Sequence, residues 1–258
     1  MKKTLVLCMA AILATGLAYP KSKTKIVAHR GYWNTEGSAQ NSISSIRNAM
    51  DASLFGTEFD VWITSDDVPV VFHDRRTKNG LTIEKTSFAE LRSKADKLAN
   101  GETIPTLAEY LQAWKPTGTK LVLEIKTHSA PQRNAVAVDR ILSEVAKAGI
   151  DKDDIEYIAF DWGITTKLIE AKTGSMVSYL NGDKTPQELK EAGVDGFDYS
   201  VDVLKKNPEW IAEAKKLKLN TNVWTVKPVD MQHFIDAGVD YITTDYPAEL
   251  FLKLGKKK

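Results

Sequence analysis

The chain nearly lacks cysteine: its single one, Cys8, falls within the first 18 residues. Those residues read as a secretory leader, with Lys2 and Lys3 as the positive end and Leu5 to Ala14 as the apolar core. That core is too short for a comfortable membrane span. Gly16-Leu17-Ala18 places small residues at both cleavage-determining positions, so cleavage near Ala18 is expected, with a retained N-terminal anchor as the alternative. A lipoprotein use of Cys8 is disfavoured by the bulky Leu7 before it. The remaining chain of about 240 residues holds no cysteine and is large enough to bury a core without disulfides. It is expected to be secreted or periplasmic, with no stable membrane insertion. An excess of charge of one sign is also missing. Lys and Arg number 35 against 34 Asp and Glu, for a formal +1 that becomes −1 without the leader. No large basic field argues for nucleic acid. Nor does any linker rich in Pro, Gly or Ser divide the chain.

What the chain does have is alternation. Strand-length apolar runs at Lys25–His29, Thr57–Val61, Lys120–Ile125, Ile155–Phe160, Met176–Leu180, Gly196–Tyr199, Thr221–Val226 and Tyr241–Thr244 are each followed by a helical pattern. The helices are expected at Gln40–Ala52, Leu107–Trp114, Ala135–Ala148, Ile164–Ala171, Pro186–Ala192, Val203–Leu217, Asp230–Ala237 and Pro247–Leu254. Eight βα units predict an α/β fold, a (β/α)₈ TIM barrel filling residues 19–258. One longer excursion, about residues 65–106, reads as an insertion after the second strand, with a further helix at Ser87–Ala95.

That insertion opens with a hairpin, TEFDVWITSDDVPVVFHD over Thr57–Asp74. A turn closed at Asp66-Asp67 sets Thr64 opposite Pro69 and Asp60 opposite His73, so Glu58, Asp60 and His73 share one face. Carboxylates and an imidazole on one face suit metal binding or acid–base chemistry; the blander reading is a solvated polar edge. In a barrel, the C-terminal strand ends carry the active site. His29, Glu58, Asp60, Glu124, Lys126, Trp224 and Asp245 all fall at that rim. Glu58, Asp60 and Glu124 can converge from adjacent strands, and three carboxylates need a counter-charge. Hard oxygen ligands suit one divalent cation, Mg²⁺ or Ca²⁺. His29 and His73, two of only four histidines, can form an acid–base pair near neutral pH. His128 and His233 read as bystanders, on a loop or rim and on a helix. Arg30 and Lys126 either hold an anionic substrate oxygen or pair with the carboxylates. Trp224 either stacks on substrate or packs into the core.

His29-Arg30-Gly31, Asn41-Ser42, Glu58-x-Asp60-Val61, His73-Asp74, Leu123-Glu124-Ile125-Lys126, Asn222-Val223-Trp224-Thr225 and Thr244-Asp245-Tyr246-Pro247 together resemble the glycerophosphodiester phosphodiesterase family. The resemblance runs from about Lys25 to Phe251 and implies a (β/α)₈ barrel that hydrolyses glycerophosphodiesters to sn-glycerol 3-phosphate and an alcohol. It implies a divalent cation on Glu58, Asp60 and Glu124, with His29 and His73 as general acid and base. Arg30 and Lys126 would hold the phosphate, and Trp224 would face the glycerol. One departure stands out. The family pattern Pro-Glu-Asn-Thr reads Ala39-Gln40-Asn41-Ser42 here, which removes a negative charge and puts substrate choice in question. A phosphodiesterase acting on lysophospholipids or another phosphodiester, and a non-catalytic barrel binding phosphorylated polyols, are the alternatives.

Overall fold

The computed structural model describes residues 22–255; the expected leader and its cleavage point lie outside them. The described residues form nine strands: β1 Lys25–Ala28, β2 Gly56–Ile63, β3 Pro69–Val71, β4 Lys120–Ile125, β5 Ile155–Ala159, β6 Met176–Tyr179, β7 Gly196–Ser200, β8 Asn220–Trp224 and β9 Tyr241–Thr244. All but β3 are parallel and follow one another around a barrel, which closes where β1 pairs with both β9 and β2. The described residues also form ten α-helices, of which α2 belongs to the insertion: α1 Ile43–Asp51, α2 Phe88–Lys94, α3 Leu107–Ala113, α4 Pro131–Lys147, α5 Trp162–Glu170, α6 Pro186–Glu191, α7 Val201–Lys206, α8 Glu209–Lys216, α9 Met231–Ala237 and α10 Pro247–Lys253. The expected (β/α)₈ barrel is therefore the fold.

Strand alternation sorts the side chains into two shells. Phe59, Val61, Leu121, Leu123, Ile125 and Tyr157 point outward and pack with Ile141 and Val138 of α4. Ile26, Phe197, Tyr199, Val223 and Ile242 do the same on the opposite side. The inward shell is thinner in apolar residues, with Val27, Val122, Ile158 and Tyr241 forming its own small cluster. The remaining inward positions are polar and buried, including Glu58, Asp60, Glu124, Glu156, Asp198 and Asn222.

Local sequence sets the element ends. Thr106 with Glu109 and Thr185 with Glu188 form reciprocal capping boxes at α3 and α6. α4 begins at Pro131, earlier than the expected Ala135, because proline suits the first helical turn. The single helix expected over Val203–Leu217 is broken into α7 and α8. Pro208 lacks an N–H and disfavours helical backbone at Asn207, which sits at φ −127°.

The hairpin differs in register from the expectation. Its loop has three residues, not two: Thr64 N–H donates to Val68 O at 3.0 Å, and Asp67 turns left-handed at φ 63°. Asp66 is drawn off to accept from the Thr64 hydroxyl and Phe88 N–H, and Asp67 pairs with Arg133 and Arg140. Ile63 consequently faces Pro69, and Phe72 N–H rather than that of His73 meets Asp60 O. The paired strand stops at Val71, and the chain beyond it returns His73 to the cavity that Glu58 lines.

The insertion carries its own small core of Trp62, Val70, Ile83, Leu91 and Ile104. Glu102 pins it to the barrel by accepting from Ile43 and Ser44 N–H at the start of α1. Glu84 pins it again by accepting from the backbone and hydroxyl of Ser129. His128 lies on the loop between β4 and α4, the first of the two expected places, and is buried there. Its Nε2 accepts from Ile63 N–H at 3.1 Å, and its ring meets Trp62 edge-on.

Burial pushes the His128 imidazole below its ordinary value despite nearby Glu84. Between that lowered value and about 6.5 the unfolded chain binds more protons, so stability held above this window is lost as pH falls through it. His128→Leu leaves Ile63 N–H unpaired and should cost about 1–3 kcal/mol at neutral pH. Thermal unfolding from about pH 7 to about pH 5 should show a shallower fall in Tm for this variant than for the parent.

Candidate active site

The site begins where β1 ends. Arg30 and Gly31 both turn left-handed, at φ 56° and 81°. At Gly31 a Cβ would collide with the Ser45 side chain, so only glycine fits. This bend lets Arg30 N–H donate to Glu58 Oε2 at 2.7 Å, and Gly31 N–H to Glu58 O at 2.9 Å. The loop then returns. Asn41, also left-handed at φ 57°, donates its backbone N–H to Arg30 O. Its side chain clasps Asp60 from two directions: Nδ2 donates to Asp60 Oδ2 at 2.8 Å, and Oδ1 accepts from Asp60 N–H at 3.2 Å.

Asp60 on β2 stands in register with Glu124 on β4, and Glu58 lies two residues before Asp60. Oxygens of the three lie within 4.8 Å of one another. They are nearly closed to solvent, at 3%, 1% and 7% exposure for Glu58, Asp60 and Glu124. Lys126 reaches between two of them, with Nζ 3.0 Å from Asp60 Oδ1 and 2.7 Å from Glu124 Oε1. Arg30 Nε is 3.8 Å from Asp60 Oδ2.

The charges do not balance evenly. Burial works to raise the Asp60 carboxyl, but Lys126, His73, the Asn41 amide and Arg30 bring it down to about 2. Burial raises Glu58 well above the ordinary carboxylate range, and the Asp60 and Glu124 charges push it further. Glu124 is pushed up to about 7 by burial and Asp60, against the pull of Lys126. Lys126 is held charged: burial opposes this, but Asp60 and Glu124 outweigh it. Three inward oxygen donors short of positive charge suit a hard divalent cation, which would hold all three ionised.

Two histidines face this cluster. His29 Nδ1 meets Asp245 Oδ1 at 2.8 Å, and the same oxygen accepts from Trp33 Nε1 at 3.1 Å. Burial would raise the Asp245 carboxyl, but the His29 and Trp33 hydrogen bonds hold it below its usual range. His73 Nδ1 meets Asp74 Oδ1 at 2.7 Å, and burial lowers the His73 imidazole although Asp60 raises it. With each Nδ1 engaged, each Nε2 is the nitrogen left for chemistry.

His29, Arg30, Glu58, His73, Glu124, Lys126 and Trp224 line a single cavity of about 120 Å³; Asp60 closes its side through Lys126 and Arg30. Trp224 presents a buried Nε1 without a hydrogen-bond partner among the described residues and meets Phe160 edge-on. Gln40 accepts from Arg30 Nη1 at 2.7 Å, adding no charge to offset the guanidinium. A wider hollow of about 610 Å³, lined by Trp33, Glu36, Gln40, Phe72 and Asp74, opens between the loop after β1 and the insertion. Every residue singled out at the rim is therefore gathered here, while His128 and His233 are not. Sequence reading gave no partner to Asp245 and no separate task to Asn41, and it passed over Asp198, which lines the cavity from β7. Asp198 carried one signal, a lone carboxylate between Phe197 and Tyr199 in an otherwise apolar strand.

Lys126 and Arg30 beside an acidic cluster that could hold a hard cation, with two imidazoles turned toward it, make a setting for cleaving a phosphate ester. A barrel with that rim defines a class of phosphoester hydrolases. The glycerophosphoryl diester phosphodiesterase family model matches residues 29–249, and the chain belongs to that family. It is thus an enzyme, a phosphoric diester hydrolase. A glycerophosphodiester phosphodiesterase of Caldanaerobacter subterraneus subsp. tengcongensis is 29% identical over 244 residues, covering 88% of this chain and 96% of the relative. The crystal structure of a glycerophosphodiester phosphodiesterase from Parabacteroides distasonis superposes with a TM-score of 0.87 at 42% identity, over 92% of this chain and 98% of that one. An Oleispira antarctica phosphodiesterase, solved with its product sn-glycerol-3-phosphate, shares the fold at a TM-score of 0.76 and 20% identity, over 90% and 97%.

Titrating chelator-stripped protein with Mg²⁺ or Ca²⁺ in a calorimeter should show one site per chain. Glu124→Ala should abolish it. Asn41→Ala, which frees Asp60 from its clasp, should weaken it about 10–100-fold.

Proposed function

We propose that the protein hydrolyses glycerophosphodiesters to sn-glycerol 3-phosphate and an alcohol, outside the cytoplasm, with His29 and His73 as the general acid–base pair. One observation carries this reading: two imidazoles, each backed at Nδ1 by a carboxylate, open on the cavity that Glu58 and Glu124 of the acidic cluster also line. A non-catalytic binding barrel has no need for two such pairs. Export rests on the leader over Lys2–Ala18.

A divalent cation on Glu58, Asp60 and Glu124 would supply Lewis-acid stabilisation of the phosphoryl oxygens. Lys126 and Arg30 hold the non-bridging oxygens and keep their charge as negative charge builds on them. Asn41 keeps Asp60 in place throughout. One histidine takes the proton of the attacking hydroxyl, either water or the neighbouring glycerol hydroxyl. A new P–O bond forms, the bond to the alcohol breaks, and the other histidine gives its proton to the departing alkoxide. If the glycerol hydroxyl attacks, water then opens the cyclic phosphate by the same exchange. Trp224 lies against the glycerol. The departing alcohol faces the wider hollow beside Gln40 and Asp74.

Release of sn-glycerol 3-phosphate from glycerophosphocholine and glycerophosphoethanolamine should require added Mg²⁺ or Ca²⁺ and vanish in Glu58→Ala. His29→Ala and His73→Ala should each slow turnover about 10²–10⁴-fold with the fold intact. Near-normal activity in either variant removes that histidine from the reaction. Absent turnover on both substrates, with metal bound, points to a different phosphodiester.

A further inference from the structure

One buried acid has no part in the steps above. Asp198 on β7 is 1% exposed, and neither carboxylate oxygen has a hydrogen-bond partner among the described residues. Its strand neighbours Phe197 and Tyr199 pack outward against the helices. Asp198 therefore points into the barrel, where it lines the same cavity as His29 and Lys126.

The groups nearest to it are largely committed elsewhere. Asn222 on β8 stands beside it in register. Asn222 Nδ2 donates to Thr243 Oγ1 at 3.0 Å, however, and its Oδ1 accepts from Val223 N–H at 2.8 Å. The second Asn222 amide proton is left to ease the acid, but it makes no well-formed hydrogen bond to either oxygen. Lys126 is held by Asp60 and Glu124. The charges that bear on Asp198, Glu124 and Glu156, are both negative, and burial drives its carboxyl well above the ordinary range. An unsatisfied buried carboxyl opposes folding, so a ligand that completes it is the natural account of its presence.

The surroundings describe that ligand. Ile158, Leu180, Phe160 and Trp224 form apolar walls around Asp198, and Lys126 and Arg30 mark the anionic end of the same cavity. A slot with apolar walls, a two-oxygen polar group in its lining and cations at one end suits a short polyol attached to a phosphate. The C–H groups meet the walls, and a hydroxyl reaches the acid. We propose that Asp198 is a specificity-determining residue, whose carboxyl takes a hydroxyl of the glycerol moiety that stays on the phosphate. This rests on the reading of the site given under the proposed function. A site whose buried polar group is completed by a substrate hydroxyl rejects analogues lacking it, because the group is then left unpaired.

The test is equilibrium binding, so it does not depend on turnover. Calorimetry on the Mg²⁺-loaded protein compares sn-glycerol 3-phosphate with 3-hydroxypropyl phosphate and propane-1,2-diol 1-phosphate, which each lack one hydroxyl. The parent protein should prefer the glycerol compound over at least one analogue by on the order of 10²-fold. In Asp198→Ala and the space-filling Asp198→Leu, that preference should fall to about threefold or less, with the affinity for that analogue little changed. Asp198→Asn, whose amide still donates and accepts, should keep part of the preference. Absence of the preference in the parent overturns the proposal. So does an unchanged preference in Asp198→Ala, or an equal loss for all three ligands, as a purely structural or water-binding acid would give. A protein that binds with this preference but does not hydrolyse diesters would sink the proposed reaction and keep the subsite. Hydrolysis that ignores Asp198 and the missing hydroxyl would do the reverse.

Discussion

Three carboxylates forced together out of water are the constraint on which the rest of the structure depends. Glu58, Asp60 and Glu124 repel one another, and their burial strips the solvent that would screen them. Lys126 answers part of that charge and Arg30 a further part at longer range. The local architecture is arranged around the remainder. Arg30 takes a left-handed backbone so that its N–H can reach Glu58, and Asn41 takes another so that its amide can hold Asp60. The register between β2 and β4 sets Asp60 beside Glu124 rather than one residue away. A slip of one residue in β2 would turn Glu58 and Asp60 into the helix layer, and one in β4 would do the same to Glu124.

The insertion belongs to the same arrangement. It brings His73 over the cluster, and its position is fixed by acids spent on structure rather than chemistry. Glu102 fastens it to the first turn of α1 and Glu84 to the loop before α4. The loop after β1 and the insertion face each other across the wide hollow, so the two least regular parts of the chain bound the space beside the reacting centre. On the proposed reading the barrel holds the phosphate end, while these two segments set what is tolerated at the other.

Much of this was legible from residue order. Continuous apolar runs of strand length, each followed by a helical stripe, are hard to build into anything but a parallel sheet with helices outside it. Strand ends then identified the rim, and the i, i+2 spacing of Glu58 and Asp60 put both on one face. The hairpin register was not legible, because aspartate serves a two-residue turn or a left-handed third position equally well. Arg133 and Arg140 on α4 favour the second, and that contact is visible only in three dimensions. The break at Asn207-Pro208 was written in the sequence; the apolar periodicity running through it concealed it. Asp245 could be placed at the rim but not given its partner, since His29 lies at the other end of the chain.

That separation has a consequence in time. His29 and Asp245 stand 216 positions apart and meet only because β1 pairs with β9. A chain that emerges from the amino terminus presents nearly all of its acids, lysine and second histidine well before its last strand. Until that strand docks, His29 has no carboxylate behind it and the first strand has an open edge. The assembly around His29 is thus incomplete until the last strand is in place. A chain that stops short of β9 leaves the barrel open and His29 without its carboxylate.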